Sequence, residues 1–221
     1  MVVLAQAAWA SKTVKLAAEP PGERSGMVGE GRDELRLVAV GDSIIAGCGV
    51  EDQADSLTPR LAVGVAEKEG KRVSWETHAQ LGATMKRVRY RFLPEIDSTP
   101  DILFVCAGSN DVMARRSIAE WADDLQGALD EAQGLCDRVW VCSSGQPHRS
   151  PVLPRTLRNA LEQQVNAQTE ASVAICAERG IPFADVTHIP LPPAFWASDG
   201  FHPSAVGYEV AKDSILAAAY S

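Results

Sequence analysis

A serine, an aspartate and a histidine occupy loop positions in this sequence that suit nucleophilic chemistry. Ser43 follows the apolar run RLVAV in the segment GDSIIAG, and Asp199 and His202 lie three residues apart in SDGFHPSAVGY. A serine hydroxyl becomes an effective nucleophile when a histidine accepts its proton, and the histidine needs a carboxylate to hold its tautomer. One turn can bring Asp199 beside the His202 ring. These residues predict acyl-transfer chemistry.

Attack on an ester carbonyl creates an oxyanion, which requires hydrogen-bond donors already in place. The candidate donors are the N–H groups of Ser43 and Gly82 and the side-chain amide of Asn110. Each residue alone has a simpler interpretation, because Gly-Asp-Ser and Asn-Asp are common in turns and a histidine before proline is often on the surface. Their combination in one chain favours a catalytic site.

The elements that must position these residues are strands and helices in alternation. Continuous apolar runs bounded by turn residues indicate strands covered on both faces, and apolar residues one turn apart indicate helices. The predicted strands are residues 35–41, 72–80, 101–108, 137–144 and 181–186. Ser117 and Glu120 form a capping-box pattern before one helix, and the last two helices are predicted near 154–178 and 203–219.

This alternation predicts an α/β fold with five parallel strands and helices on both faces of the sheet. Ligands of such sheets bind beyond the carboxyl ends of the strands. Ser43, Gly82 and Asn110 follow the first three strands, and Asp199 and His202 lie on the last loop. We therefore expect all five residues at one edge of the sheet.

Composition limits the classes of partner and cofactor. The 221 residues carry a formal net charge of −8, which argues against nucleic-acid binding, since that requires a basic face. The five cysteines form no CxxC pair and the histidines have no metal-ligand spacing, so we expect reduced thiols and no structural metal. The oligomeric state stays open.

We expect a single domain over residues 1–221, with an N-terminal helix at 1–18, a connector at 19–34 and an α/β core at 35–221. Leu4, Ala8 and Val14 suggest that the helix is amphipathic and packs on the domain. No segment is long and apolar enough to span a bilayer. We expect a cytoplasmic protein, or a secreted or membrane-associated one if the natural N-terminus is longer.

The segments AVGDSIIAG, GSND and DGFH, with Gly82 between the first two, resemble the conserved blocks of the SGNH hydrolases, also called GDSL lipases and esterases. The resemblance extends from residue 36 to about 210. Ile44 stands where many members have leucine, and the second block is reduced to Gly82. DGFHPSAVGY is similar to the small bacterial lysophospholipase-like branch.

The resemblance implies a three-layer α/β/α sandwich with a flavodoxin-like, five-stranded parallel sheet. It also implies two-step ester hydrolysis through an acyl-enzyme, without metal or cofactor. By position, Ser43 would be the nucleophile, His202 the general base and then acid, and Asp199 its orienting carboxylate. The N–H groups of Ser43 and Gly82 and the Asn110 amide would form the oxyanion hole.

The connections between the predicted elements are short and leave little material for a lid. This favours small or short-chain acyl esters, including O-acetyl groups on sugars. Lysophospholipids, thioesters and acyl transfer require the same machinery and stay open as alternatives. The candidate substrate contacts are Val112, Arg115, His148, Phe195 and Trp196.

Two other classes share the predicted architecture. Nucleotide and flavin binders also place glycines after the first strand of a parallel sheet. The segment GDSIIAGCG has no Walker lysine and does not fit GxGxxG, and this class leaves Asp199 and His202 unexplained. A catalytically idle binding protein of the same fold also stays open.

Overall fold

The strands and helices follow the alternation predicted from the sequence. The computed structural model describes residues 2–221, except for the side chains at positions 2, 4, 8 and 11. The strands are β1 (Ser25–Val28), β2 (Glu34–Gly41), β3 (Arg72–Ala79), β4 (Ile102–Cys106), β5 (Val139–Cys142) and β6 (Phe183–Ala184). The helices are α1 (Val2–Thr13), α2 (Leu57–Glu69), α3 (Met85–Arg87), α4 (Ser109–Met113), α5 (Ile118–Leu135), α6 (Arg155–Glu178) and α7 (Ala205–Ala219).

The six strands form one sheet in the order β1-β3-β2-β4-β5-β6. All pairs from β3 to β6 are parallel, and β1 pairs antiparallel with β3 at the edge. Within the parallel part, the first strand along the chain lies between the second and the third, which is the flavodoxin-like order. The predicted α/β class is confirmed, with a sheet that is mixed rather than wholly parallel.

The additional strand β1 lies in the region that the sequence predicted as a connector, so that part of the prediction is wrong. Its four residues are mostly exposed and show no apolar alternation. Pairing with β3 is what makes the segment a strand. Gly26 lies opposite Trp75, where a Cβ would come within 2.8 Å of the indole ring.

Both faces of the central strands β2, β4 and β5 are buried, as their continuous apolar runs predicted. Leu37 and Ala39 of β2 pack into a cluster with side chains of α2 and α7. Val38 and Val40 point to the opposite face and pack with side chains of α3, α5 and α6. All four residues are fully buried. Packing on both faces thus holds β2 and fixes the position of its carboxyl end at Gly41.

The N-terminal helix packs against α6. Ala10 is buried in a cluster with Leu157 and Leu161, and Val14 packs at its margin. The predicted stripe through Leu4 and Ala8 lies outside the described side chains. The helix ends at Thr13 rather than near residue 18. No helix in the described part of the chain combines the length and the apolar character that a membrane span requires.

Met85, Val88, Phe92 and Ile96 are apolar, helically spaced and buried, but they do not lie on one α-helix. α3 continues into a π-helical turn at Val88–Phe92 and a 3-10 turn at Leu93–Glu95. Pro94 has no N–H to donate, which favours the change of helix type before the chain enters β4.

Candidate active site

Ser43 lies on the turn that follows β2, at the carboxyl edge of the sheet. At Gly41 a Cβ would come within 2.1 Å of the carbonyl oxygen of Cys106 on β4, so the close approach of the two strands requires glycine. Asp42 Oδ1 accepts the N–H of Ile44 at 3.0 Å and holds the turn. On this turn Ser43 is largely buried, with only 5% of the residue exposed.

A chain of hydrogen bonds joins Ser43 to His202 and Asp199. His202 Nε2 lies 3.0 Å from Ser43 Oγ, and His202 Nδ1 lies 2.7 Å from Asp199 Oδ2. When Nδ1–H donates to the carboxylate, Nε2 keeps the lone pair that can accept the serine proton. The His202 ring is buried immediately before α7. The structure therefore brings the three predicted residues together.

Four hydrogen bonds hold the Asp199 carboxylate. Besides the His202 ring, Oδ2 accepts the N–H of Ala17 at 2.9 Å. Oδ1 accepts the N–H groups of Phe201 and His202 at 2.9 and 3.0 Å. Burial acts to raise the pKa of Asp199, but these hydrogen bonds outweigh it and hold the pKa below its usual value. Sequence reasoning missed Ala17, because a main-chain donor has no sequence signature.

Gly82 lies on the turn after β3, and Asn110 lies in α4, the short helix that follows β4. Gly82 has a φ of 85°, and a Cβ there would meet nothing within 4 Å, so glycine serves the backbone conformation rather than the space. Asn110 Nδ2 donates to the carbonyl oxygen of Ala83 at 2.9 Å. An amide group carries two donors, so this bond leaves one N–H for a ligand.

Two cavities contain both Ser43 and His202. The narrower has a volume of about 50 Å³, and its apolar wall includes Ile44, Leu57, Val186, Ile189, Phe195 and Trp196. The wider has a volume of about 270 Å³, and its wall includes Ala10, Val14, Leu16, Leu81, Asn110 and Met113. Gly82 does not line either cavity, although its neighbour Leu81 does. α1 thus contributes to the wall beside Ser43.

The five predicted substrate contacts occupy three different places. Phe195 and Trp196 line the narrow cavity with Ser43. Val112 of α4 and Arg115, two residues after α4, instead line a separate cavity between α1, α4 and α6. His148 is buried and lines neither cavity that contains Ser43. The structure thus corrects the expectation for Val112, Arg115 and His148.

Two buried carboxyl groups lie behind the site. Burial raises the pKa of Asp42 to about 7, and the nearby charge of Asp111 acts in the same direction. Burial likewise raises the pKa of Asp111 to about 6. Asp111 Oδ2 accepts the N–H of Met85 at 2.9 Å and so joins α4 to α3. Arg116, next to the predicted contact Arg115, forms ion pairs with Asp111 and Asp124.

His148 belongs to a group with Glu162 and His188 whose donor atoms lie within 4.8 Å of one another. These three residues could hold a metal ion. Burial lowers the pKa of His148 to about 4, so the ring is neutral at physiological pH. The sequence predicted no metal site, because the three residues are far apart along the chain and show no ligand spacing.

A flavodoxin-like sheet with serine, histidine and aspartate at its carboxyl edge is the architecture of a class of serine hydrolases. The sequence model of the GDSL-like lipase/acylhydrolase family matches residues 39–210. The chain belongs to this family. The match begins within β2, ends within α7 and includes every residue of the Ser43–His202–Asp199 chain.

Relatives and solved structures agree with this assignment. A GDSL-like esterase of Mycobacterium tuberculosis is 28% identical over an alignment of 202 positions that covers 84% of this chain and 62% of that protein. This chain therefore spans less than two thirds of the length of that relative. A lipase/acylhydrolase from Enterococcus faecalis has a TM-score of 0.61 at 25% identity, covering 83% of this chain and 94% of the other.

The fold is also that of Axe2, an acetylxylan esterase from Geobacillus stearothermophilus. Its catalytic mutant has a TM-score of 0.65 at 18% identity, covering 87% of this chain and 95% of the other.

Proposed function

We propose that this chain is a serine esterase that hydrolyses carboxylic esters with Ser43 as the nucleophile. The observation that carries the proposal is the continuous hydrogen-bond chain from Ser43 Oγ through the His202 ring to Asp199. Membership of the GDSL-like lipase/acylhydrolase family supports it.

In the first half of the reaction, Ser43 Oγ attacks the ester carbonyl carbon and its proton passes to His202 Nε2. Asp199 stabilises the imidazolium that forms. The tetrahedral intermediate collapses by breaking the bond to the alcohol oxygen, which takes the proton from His202. The alcohol leaves, and the acyl group stays on Ser43 as an ester.

In the second half, a water molecule attacks the acyl carbon and gives a proton to His202 Nε2. The bond to Ser43 Oγ breaks, Ser43 recovers the proton, and the carboxylic acid leaves. During both halves the negative charge on the carbonyl oxygen is stabilised by the free N–H of Asn110 and by the main-chain N–H groups of Gly82 and Ser43. This role is consistent with Asn110 lining the wider cavity beside Ser43.

The proposed substrates are esters with short acyl groups, including O-acetyl groups on sugars. The narrow cavity of about 50 Å³ has room for only a few non-hydrogen atoms, because a single water already requires about 10–15 Å³ by the same measure. The acyl group would occupy this cavity and the alcohol portion the wider one. The similarity to an acetylxylan esterase fold is compatible with this substrate class.

A lysophospholipase or thioesterase is the second candidate. The observation in its favour is the apolar wall of the wider cavity, to which Val14, Leu16 and Met113 contribute. In this version a longer acyl chain would occupy the wider cavity. The catalytic steps would be the same, so the preferred acyl length discriminates between the two candidates.

The test is hydrolysis of p-nitrophenyl esters from acetyl to palmitoyl by the wild-type protein, Ser43→Ala and Ser144→Ala. Ser144 is a matched control because it lines the same narrow cavity, but its hydroxyl has no hydrogen-bond partner among the described residues. We expect Ser43→Ala to lose activity by about 10⁴-fold or more. Ser144→Ala should keep most of its activity.

A peak at acetyl or butyryl esters supports the proposed substrate class, and a peak at long chains supports the second candidate. Full activity of Ser43→Ala would disprove the assignment of the nucleophile. If no ester is hydrolysed and a serine-directed phosphonate does not label Ser43, the protein is a non-catalytic binding member of the fold.

A further inference from the structure

Three side chains outside the proposed active site meet where two loops contact α6. His148 lies on the 3-10 turn Pro147–Arg149, Glu162 on α6, and His188 in the segment after β6. One donor atom from each residue lies within 4.8 Å of the other two. We propose that these residues bind a divalent transition-metal cation, with Zn²⁺ as the best match.

His148 provides the strongest reason for this inference. The residue is only 4% exposed, and neither of its ring nitrogens has a hydrogen-bond partner within the part of the chain that the structure describes. Buried polar groups nearly always have a partner, so an imidazole left without one requires an explanation. Its ring meets the His188 ring edge to face at 5.3 Å rather than through a hydrogen bond. A cation between the two rings supplies the missing partner.

The other two proposed ligands, Glu162 and His188, are exposed. His188 Nε2 lies 2.9 Å from Asn166 Oδ1. Asn166 and Glu162 are four residues apart on α6 and therefore lie on the same face of the helix. When Nε2–H donates to Asn166, Nδ1 keeps a lone pair for a cation. Hydrogen bonds of this kind commonly orient metal-binding histidines.

The donor chemistry favours zinc over magnesium or calcium. Two neutral imidazoles and one carboxylate suit Zn²⁺, Co²⁺ or Ni²⁺, whereas Mg²⁺ and Ca²⁺ prefer oxygen ligands alone. In a tetrahedral zinc site the ligand atoms are about 3.3 Å apart, given bonds of about 2.0–2.1 Å. Closing the present separations requires the side chains to rotate toward one another. Glu162 and His188 are exposed, so the core does not oppose this rotation, and a water would take the fourth position.

The cation would act on the wall of the narrow cavity rather than on the reacting atoms. Pro147 and Ile189 line that cavity and are the chain neighbours of His148 and His188. Arg149 already links the two loops by donating to the carbonyl oxygen of Ile189 at 2.7 Å. Zn²⁺ would attach both loops to α6 as well. This effect on the cavity rests on the proposed function, whereas the metal binding does not.

The experiment measures Zn²⁺ binding by isothermal titration calorimetry on untagged protein that has been freed of metal with a chelator. His148 is buried, so the test variants are Glu162→Gln and His188→Asn, which change exposed side chains. His78→Asn is the matched control, because His78 Nε2 pairs with Glu76 at 2.7 Å in a histidine–carboxylate pair elsewhere in the molecule. Ser43→Ala tests whether binding is independent of catalysis.

We expect the wild-type protein, His78→Asn and Ser43→Ala to bind one equivalent of Zn²⁺ and to gain thermal stability from it. Glu162→Gln and His188→Asn should each bind at least about tenfold more weakly. Mg²⁺ should neither bind nor raise the melting temperature. Co²⁺ bound to the wild-type protein should show the intense visible absorption of tetrahedral coordination.

The inference is overturned if the wild-type protein shows no saturable Zn²⁺ binding, or if Glu162→Gln and His188→Asn bind as tightly as His78→Asn. Zn²⁺ binding without ester hydrolysis would keep this site and reject the proposed function. Ester hydrolysis without Zn²⁺ binding would do the reverse. The two proposals therefore fail separately.

Discussion

The main-chain N–H of Ala17 donates a 2.9 Å hydrogen bond to Asp199 Oδ2, the same oxygen that accepts the His202 ring at 2.7 Å. The two residues are 182 positions apart in the chain. The segment after α1 thus forms part of the shell that orients the carboxylate. Ala17 is a positioning residue in the proposed mechanism, because it acts on Ser43 only through Asp199 and His202.

Replacing Ala17 with proline should lower kcat, because proline has no N–H and the carboxylate loses one of its four donors. The loss should also move the acid limb of the pH–kcat profile to higher pH, since a less stabilised carboxylate takes up protons more readily. Ala17→Gly keeps the N–H and is the control. A pH profile for Ala17→Pro identical to that of Ala17→Gly would contradict this role.

Asn110→Ala should reduce kcat by about 10²–10³, the usual effect of losing one oxyanion donor, with little change in KM. The variant also loses the hydrogen bond to the Ala83 carbonyl. Ser109→Ala is therefore a suitable control, since its hydroxyl also donates to a main-chain carbonyl, that of Ser144. Steady-state kinetics and thermal unfolding of both variants separate catalysis from stability. An equal loss of activity in the two variants would argue against an oxyanion role.

Asp42→Asn should change how stability depends on pH. Because the pKa of Asp42 is raised to about 7 by burial, the folded state holds its proton after the unfolded chain has lost it. The free energy of unfolding should therefore fall as pH rises from about 4 to about 7, by an amount on the order of 3 kcal/mol.

In Asp42→Asn this contribution disappears, so the free energy of unfolding should fall less steeply as pH rises. Urea unfolding of both proteins at several pH values measures the difference. The pKa of Asp111 is also raised, to about 6, so the free energy of unfolding of the variant should still fall with rising pH, but less steeply. A slope as steep as that of the wild-type protein would show that Asp42 is ionised in the folded state.

Trp196→Ala should extend the range of acyl groups. Trp196 lines both the narrow cavity and a surface cavity of about 470 Å³, so the residue lies between the two spaces. Removing the ring should join the two spaces and raise kcat/KM for hexanoyl relative to acetyl esters. Trp9→Ala, which removes a half-exposed tryptophan of α1, should leave the ratio unchanged. An unchanged ratio in Trp196→Ala would place the acyl group elsewhere.

The fold could be predicted where burial and local periodicity agree. The continuous apolar runs of β2, β4 and β5 identified central strands covered on both faces, and Ser117 with Glu120 forms the capping box at the start of α5. Strand lengths were less predictable. The run 181–186 contains only the two-residue β6, because an apolar run reports burial and not pairing. The exposed strand β1 has no such run at all.

The sequence alone determined the order of the parallel strands and the main helices, the buried faces of the central strands and the chemical types gathered at the carboxyl edge of the sheet. These depend on local patterns and on the rule that parallel strands end at a common edge. The tertiary structure alone decided that Ala17 contacts Asp199 and that the space beside Ser43 divides into two cavities. It also decided that Val112 and Arg115 line a different cavity. The meeting of His148, Glu162 and His188 likewise depends on the tertiary structure. Such contacts join residues distant in the chain, and no local periodicity carries information about which distant side chains will meet.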